Sequence, residues 1–225
     1  MSGTPVFKKP TVLVCSGSCR SKSFNKQLAV YSANLLKEID VNVIYIDLRD
    51  YPMPVYNGDD EEETGLPQSA KDLKQKFIES DGLLFTCPEY NGSVTALFKN
   101  TVDWISRPHM KDEPTYVAFK GKAAALLSTS PGGLGGLRSL HHYREILTNL
   151  GCNIIANQAA VGGAYKAFDD KGDLLLDSHK NMVTQVLQPL VKISGFNANQ
   201  EMVCSLQNSQ AERPCGEYGY IAIAK

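Results

Sequence analysis

Apolar positions along this chain fall into two kinds of stretch, short continuous runs and longer segments with helical spacing. Thr11-Val12-Leu13-Val14-Cys15 is a continuous apolar run, the pattern of a parallel strand buried on both faces. Leu28, Tyr31, Leu35 and Ile39 then recur at steps of three and four, which predicts a helix. Val41–Leu48, with β-branched residues at 41, 43, 44 and 46, reads as a second strand. Gly82–Cys87, Ala123–Ser128 and Asn153–Val161 read as the third, fourth and fifth. Helical spacing fills the intervals. A weak helix is expected at about Gln68–Ser80. The next carries Phe98, Val102 and Ile105 on one face and Leu97, Thr101 and Trp104 on another. A third carries Leu137, Leu140, Tyr143, Leu147 and Leu150 and is stopped by Gly151. A last helix covers about Asp173–Ile193, where Pro189 is expected to kink or weaken it. Arg49 to Pro67, with three prolines and the acidic run Asp59-Asp60-Glu61-Glu62-Glu63, reads as a solvated loop.

Five strands alternating with five helices predict an α/β fold, an open, doubly wound, five-stranded parallel sheet with helices on both faces. In the order 2-1-3-4-5 the connection reverses between strands 1 and 3, and ligands sit in the crevice at that point. Residues 1–10 read as an N-terminal tail, 11–195 as the domain, and 196–225, which lack clear periodicity, as a C-terminal extension.

Composition narrows the classes of function. With 225 residues, 43% of them hydrophobic and 21% charged, the chain can bury a sizeable core. A formal net charge of −1 gives no support to broad nucleic-acid binding. No apolar run approaches the roughly 20 residues needed to cross a bilayer, so no membrane partner is expected. The first ten residues lack the apolar segment of a secretory signal. The six cysteines are scattered and show no metal-ligand spacing. They read as reduced thiols, mostly buried, of a cytoplasmic protein, with no metal site. His141 and His142, neighbours on a helix, read as surface or interface residues.

The candidate chemistry lies where strands hand over to helices. After the first strand comes Gly17-Ser18-Cys19-Arg20-Ser21-Lys22-Ser23-Phe24-Asn25. Amides at a helix start are unpaired and favour an anion. Ser16, Ser18 and Ser23 add hydroxyls, Arg20 a planar charged fork, and Asn25 an amide that fixes the loop or meets the ligand. Ser23 reads equally as the N-cap of the helix. The loop matches neither GxxxxGK[ST] nor GxGxxG. After the third strand comes Pro88-Glu89-Tyr90-Asn91-Gly92-Ser93, in which Tyr90 can flank a planar ring and Asn91-Gly92 favour a turn exposing backbone amides. Glu89 reads either as a ligand contact or as a salt-bridged rim residue. After the fourth strand, Ser130-Pro131-Gly132-Gly133-Leu134-Gly135-Gly136 allows close approach of a ligand or a second subunit. Phosphate and ring together suit a flat cofactor with a phosphate tail. A nucleotide- or sugar-phosphate-binding module uses the first loop and leaves the second unexplained.

These segments resemble a known family. GSCRSKSFN is similar to the GSxRxxSxN signature of NAD(P)H-dependent FMN reductases, which include flavodoxin-like quinone, azo-dye and chromate reductases. The run from Cys87 to Trp104 resembles that family's PEYN segment and the helix after it. Ser128-Thr129-Ser130-Pro131-Gly132-Gly133 resembles its third flavin loop. The likeness spans about residues 11–195, with the motifs in order. Phe98 departs from the family pattern and shifts the helix register by one. The resemblance implies a flavodoxin-like fold and a bound FMN. Ser18, Arg20, Ser23 and Asn25 then hold the phosphate, with Ser16 and Phe24 beside them. Pro88, Glu89, Tyr90, Asn91 and Gly92 line the isoalloxazine, and Ser130, Pro131, Gly132 and Gly133 close the other side. It also implies a homodimer or homotetramer, with the Trp104 helix near a subunit contact. The expected activity is hydride transfer from NADPH or NADH to FMN, then two electrons to a quinone-like, azo or other small acceptor. The flavin carries the chemistry, and no protein residue is needed as catalyst. Arg107 is a candidate contact for a nicotinamide phosphate or a neighbouring subunit. The alternative is a flavodoxin-type electron carrier or redox-sensing FMN binder without turnover of its own.

Overall fold

A computed structural model describes residues 7–200; the C-terminal extension beyond 200 and the first six residues of the tail lie outside the described residues. The elements in chain order are β1 (Thr11–Ser16), α1 (Phe24–Glu38), β2 (Asn42–Ile46), α2 (Gly58–Thr64), α3 (Gln68–Ile78), β3 (Gly82–Thr86), α4 (Ala96–Ile105), β4 (Ala123–Thr129), α5 (Leu137–Asn149), β5 (Asn153–Ile154), β6 (Ala159–Val161) and α6 (Asp177–Ala198). All pairings are parallel and the order is β2-β1-β3-β4-β5, as the alternation of elements predicts. β1 lies inside the sheet between β2 and β3, with Val12 opposite both Val43 and Gly82.

The continuous apolar runs are explained by burial on both faces. Val12, Val14, Leu84, Ala125 and Leu127 point to one side and pack under α1 and α6. Leu13, Cys15, Leu83, Phe85 and Leu126 point to the other and pack under α3, α4 and α5. Each strand thus supplies two cores with alternate side chains.

The expected fifth strand is two. β5 pairs with the start of β4 and β6 with its end. Between them Arg144 donates to the carbonyls of Ile155 and Ala156 at 3.0 and 3.2 Å, taking groups that a continuous strand presents at its edge. The acidic run is a helix rather than a solvated loop. Asn57 caps α2 by accepting from the Asp59 amide, and Asp59, Asp60 and Glu61 sit in its first turn, where the helix dipole favours negative charge. Glu61 is engaged as well, accepting from Tyr56 Oη and pairing with Arg107.

Pro189 does not interrupt α6. Proline cannot donate to the carbonyl four residues before it, and that carbonyl, of Gln185, accepts instead from Asn157 Nδ2 at 3.3 Å. The helix begins later than the spacing suggests, at Asp177, and continues past residue 195. Beyond its end Asn199 accepts from the Lys8 amide at 2.6 Å and donates to the Lys8 carbonyl at 3.0 Å, tying the start of the described chain to its finish.

The second apolar side of α4 is covered by the protein's own chain. Trp104 is only 1% exposed and packs with Leu66 and Ala70. Its Nε1 donates to the Pro54 carbonyl at 2.9 Å, and its ring meets Tyr56 edge-on at 5.0 Å. The segment between β2 and α3 is therefore a strap over α4. No subunit contact is needed to explain Trp104.

Candidate functional site

β1, β3 and β4 all end at one edge of the sheet, and the three loops the sequence singles out leave from there. Parallel pairing makes this unavoidable, because every strand presents its C-terminal end to the same side. The juxtaposition is then fixed by hydrogen bonds between the loops.

Asn25 is the clasp. Its Nδ2 donates to the Thr129 carbonyl at 2.8 Å and its Oδ1 accepts from the Thr129 amide at 3.2 Å. Its own carbonyl accepts from Thr86 Oγ1 at 2.8 Å. One residue thus binds the first loop to the ends of β3 and β4. With its side-chain amide bonded to the backbone of Thr129, Asn25 fixes the loop through its side chain, while its own backbone amide stays among the unpaired ones. Of the two roles the sequence leaves open for Asn25, fixing the loop is the one its side chain fills here.

The second loop is tied to the first through Thr95 and Tyr143, which the sequence reading did not single out for the site. Thr95 caps α4 by accepting from the Phe98 amide, and its hydroxyl donates to the Gly17 carbonyl at 2.7 Å. Tyr143 donates to the Pro88 carbonyl at 3.1 Å. Burial drives the Tyr143 phenol well above its ordinary range, so it stays a neutral donor. A Cβ on Gly17 would lie 3.1 Å from both Pro88 and the Tyr143 hydroxyl, so glycine is what lets the two loops close up. The signal for Thr95 was readable as an N-cap residue before an apolar helix. That for Tyr143 was hidden in a helical stripe.

In the first loop the amides of residues 21–25 have no partner among the hydrogen bonds of the described residues. Ser23 Oγ caps α1 by accepting from the Lys26 amide at 3.3 Å, and Ser18 Oγ accepts from the Arg20 amide at 3.3 Å. Both hydroxyls keep their own hydrogen to donate. The Ser16 hydroxyl is buried at the end of β1 without any partner. The Arg20 guanidinium is exposed and has no carboxylate beside it among the described residues. Phe24 faces outward and meets Tyr165 edge-on at 5.2 Å.

In the second loop Tyr90 and Ser93 exchange backbone hydrogen bonds of 3.0 Å around a two-residue turn. Asn91 (φ 51°) and Gly92 (φ 77°) are both left-handed, so their amides project from the turn unpaired. Tyr90 is 49% exposed. Glu89 is taken up within the protein. Its carboxylate, with the side chain only 9% exposed, accepts from Arg138 and from the Ser139 amide at 3.4 Å. Of the two roles open to Glu89, the ion pair is the one it fills.

The third loop rests backbone against backbone on the exit from β6. Gly132 and Gly133 have open space beside them, whereas a Cβ on Gly135 would lie 2.7 Å from the Ala160 and Val161 carbonyl carbons. Ser130 is anchored at both backbone groups, donating to the Val161 carbonyl at 3.3 Å and accepting from the Ala164 amide at 3.0 Å. Pro131, Gly132 and Gly133 are exposed.

Arg107 is not part of this site. It pairs with Glu61 at 2.8 Å, at the far end of α4, whose ten residues put it about 15 Å from the second loop. His142 approaches the second loop from α5, with its Nδ1 2.8 Å from Ser93 Oγ. His141 and His142 are both exposed, as read from the sequence.

The geometry fits a phosphorylated flavin. Unpaired amides, a free guanidinium and an orphaned buried hydroxyl gather in the first loop. Two unpaired amides and an aromatic ring stand in the second, and open glycines in the third.

Comparison with known proteins bears on what the site does. Residues 10–166 match the family described as NADPH-dependent FMN reductase. An NADPH:quinone oxidoreductase of Arabidopsis thaliana is 37% identical over 189 residues, covering 81% of this chain and 91% of that one. An NAD(P)H-dependent FMN reductase of Pseudomonas aeruginosa is 34% identical over 180 residues, covering 80% and 92%. Among solved structures, the flavoenzyme NAD(P)H:(acceptor) oxidoreductase FerB from Paracoccus denitrificans superimposes with a TM-score of 0.69 at 27% identity, covering 82% of this chain and 97% of that one.

Proposed function

The chain belongs to the NADPH-dependent FMN reductase family, and from that premise we propose how its own residues carry the family's chemistry. The protein is an FMN-dependent NAD(P)H oxidoreductase of the quinone- and FMN-reductase type. FMN, when bound, would supply the redox chemistry between the reduced nicotinamide and a two-electron acceptor. The protein's task is to hold, orient and enclose.

The amides of residues 21–25, with Arg20 and the hydroxyls of Ser16, Ser18 and Ser23, form the phosphate cradle. Charge-assisted bonds from Arg20 and the helix N-terminus favour a dianion there. The unpaired Asn91 and Gly92 amides would bond the polar edge of the ring system, with Tyr90 to flank it. Gly132 and Gly133 let the backbone approach from the other side. Pro88 and Glu89 support the second loop from behind, through Tyr143 and Arg138. The observation that carries this assignment is the set of unpaired amides at residues 21–25 and 91–92, at one sheet edge and locked together by Asn25 and Thr95.

The same reading takes a quinone as acceptor, in keeping with relatives named as quinone reductases. No helix of the described residues is long and apolar enough to cross a membrane. A cytoplasmic location and a homodimer or homotetramer belong to the proposal, and gel filtration of the holoprotein checks the assembly. The test of function is direct. The purified protein is expected to be yellow, to bleach with NADPH and to recover its colour with benzoquinone. A colourless protein that neither binds added FMN nor oxidises NADPH overturns the reading.

A further inference from the structure

Beside the first loop, on the flank away from the second and third loops, lies a cleft of about 780 Å³. Its walls come from the first loop, the outer side of α1, the end of β2 and the segment before α6. None of the second- or third-loop residues lines it, so it is separate from the ring site just described. Its charge is uneven. Five cations, Arg20, Lys22, Lys26, Arg49 and Lys171, face two carboxylates, Asp47 and Asp173.

The pairing within the cleft sharpens that imbalance. Asp47 already accepts from Lys26 Nζ at 2.7 and 2.8 Å and from Arg49 at 2.7 and 3.0 Å. Arg20, Lys22 and Lys171 have no ion-pair partner among the described residues. With Arg20 given to the flavin phosphate, two free cations, Lys22 and Lys171, against one free carboxylate, Asp173, still leave a site that favours an anion. Tyr165, 77% exposed and braced edge-on by Phe24, adds a ring on which a planar base can stack. A cavity of this size suits a mononucleotide.

We propose that this cleft binds the 2′-phosphorylated adenosine half of the donor dinucleotide, with the base on Tyr165 and the phosphate on Lys171 and Arg49, and that it selects NADPH over NADH. The proposal rests on the function assigned above. Arg20 and Ser23 belong both to the phosphate cradle and to the cleft wall, so a dinucleotide held here has its adenosine end on the outer flank of that cradle. Arg49 keeps part of its fork free, because only Nε and Nη2 are bonded to Asp47.

The test uses FMN-loaded protein, with Lys171→Glu and Tyr165→Ala as variants at exposed positions. Calorimetric titration with adenosine 2′,5′-bisphosphate and with 5′-AMP reads the cleft without turnover. Wild type is expected to prefer the bisphosphate. Lys171→Glu is expected to weaken it about tenfold or more, the scale of one charge-assisted hydrogen bond, while leaving 5′-AMP nearly unchanged. Tyr165→Ala is expected to weaken both. In kinetics, Lys171→Glu raises KM for NADPH with kcat and KM for NADH unmoved. Equal affinity of wild type for the two nucleotides overturns the proposal, as does unchanged bisphosphate binding in the variants. Loss of FMN from Lys171→Glu also overturns it, because the cleft then serves the flavin tail. Wild type that holds FMN but does not oxidise NADPH overturns the assigned function instead.

Discussion

Asn25 grips the backbone of Thr129 across 104 residues of sequence, donating at 2.8 Å and accepting at 3.2 Å. The pair mimics one rung of a β-ladder, made by a side chain where no strand is present. It holds the first loop against the end of β4, where the third loop begins. Replacing Asn25 by Ala leaves a buried carbonyl and amide unsatisfied, which costs about 2–4 kcal/mol of stability. Urea unfolding of the apoprotein should show that loss, and flavin content should fall with it.

Arg20→Ala has the opposite signature. Its guanidinium is exposed and unpaired, so apoprotein stability should stay within about 0.5 kcal/mol of wild type. FMN affinity should fall about tenfold or more, the scale of a charged hydrogen bond to phosphate. Equilibrium dialysis against FMN measures it. Unchanged affinity would remove Arg20 from the cradle.

Gly135→Ala tests the seat of the third loop. Gly135 has φ +61°, and a Cβ would meet the Ala160 and Val161 carbonyl carbons at 2.7 Å. Left-handed strain and the clash together predict a loss of about 2–4 kcal/mol, read by chemical denaturation. Gly133→Ala, with nothing within 4 Å, should leave stability nearly unchanged and report only on ligand approach.

Asp47 governs part of the acid limit. Burial pushes its carboxyl upward, but hydrogen bonds from Arg49 and Lys26 outweigh that and hold it at about 2. A depressed folded-state value means the stabilisation is complete above the unfolded value of about 4 and is lost as pH falls toward 2. Asp47→Asn should therefore be less stable than wild type at neutral pH and show a shallower decline between pH 4 and 2. Thermal unfolding across that range measures the slope.

The cysteines should separate cleanly under alkylation. Burial pushes the Cys15 and Cys152 thiols up to about 12 and raises Cys87 as well, so none forms the reactive thiolate near neutrality. Cys19 is exposed in the first loop. Peptide mapping after brief iodoacetamide treatment should find label on Cys19 and none on Cys15, Cys87 or Cys152 until the protein is unfolded.

Local chemistry by itself determined much of this molecule. Continuous apolar runs at 11–15 and 82–87 marked strands buried on both faces, because only such strands need no polar side. Helical spacing and the alternation of elements led to the 2-1-3-4-5 sheet, and that order put the three loops at one edge. Ser23 was legible as a cap, and Arg20 and the Asn91-Gly92 turn as exposed donors, since each follows from a residue and its neighbours. Tertiary structure decided the rest. Asn25 and Glu89 each had two roles open in the sequence, and it was Thr129 and Arg138, about 100 and 50 residues away, that engaged their side chains in loop-fixing and an ion pair. The burial of Trp104 had no visible partner in the sequence, and it is the 51–67 strap that covers it. Pro189 looked like a kink or weak point until Asn157 took the carbonyl it left free. In each case a polar or apolar group was satisfied by a partner distant in sequence, and no local pattern records that partner.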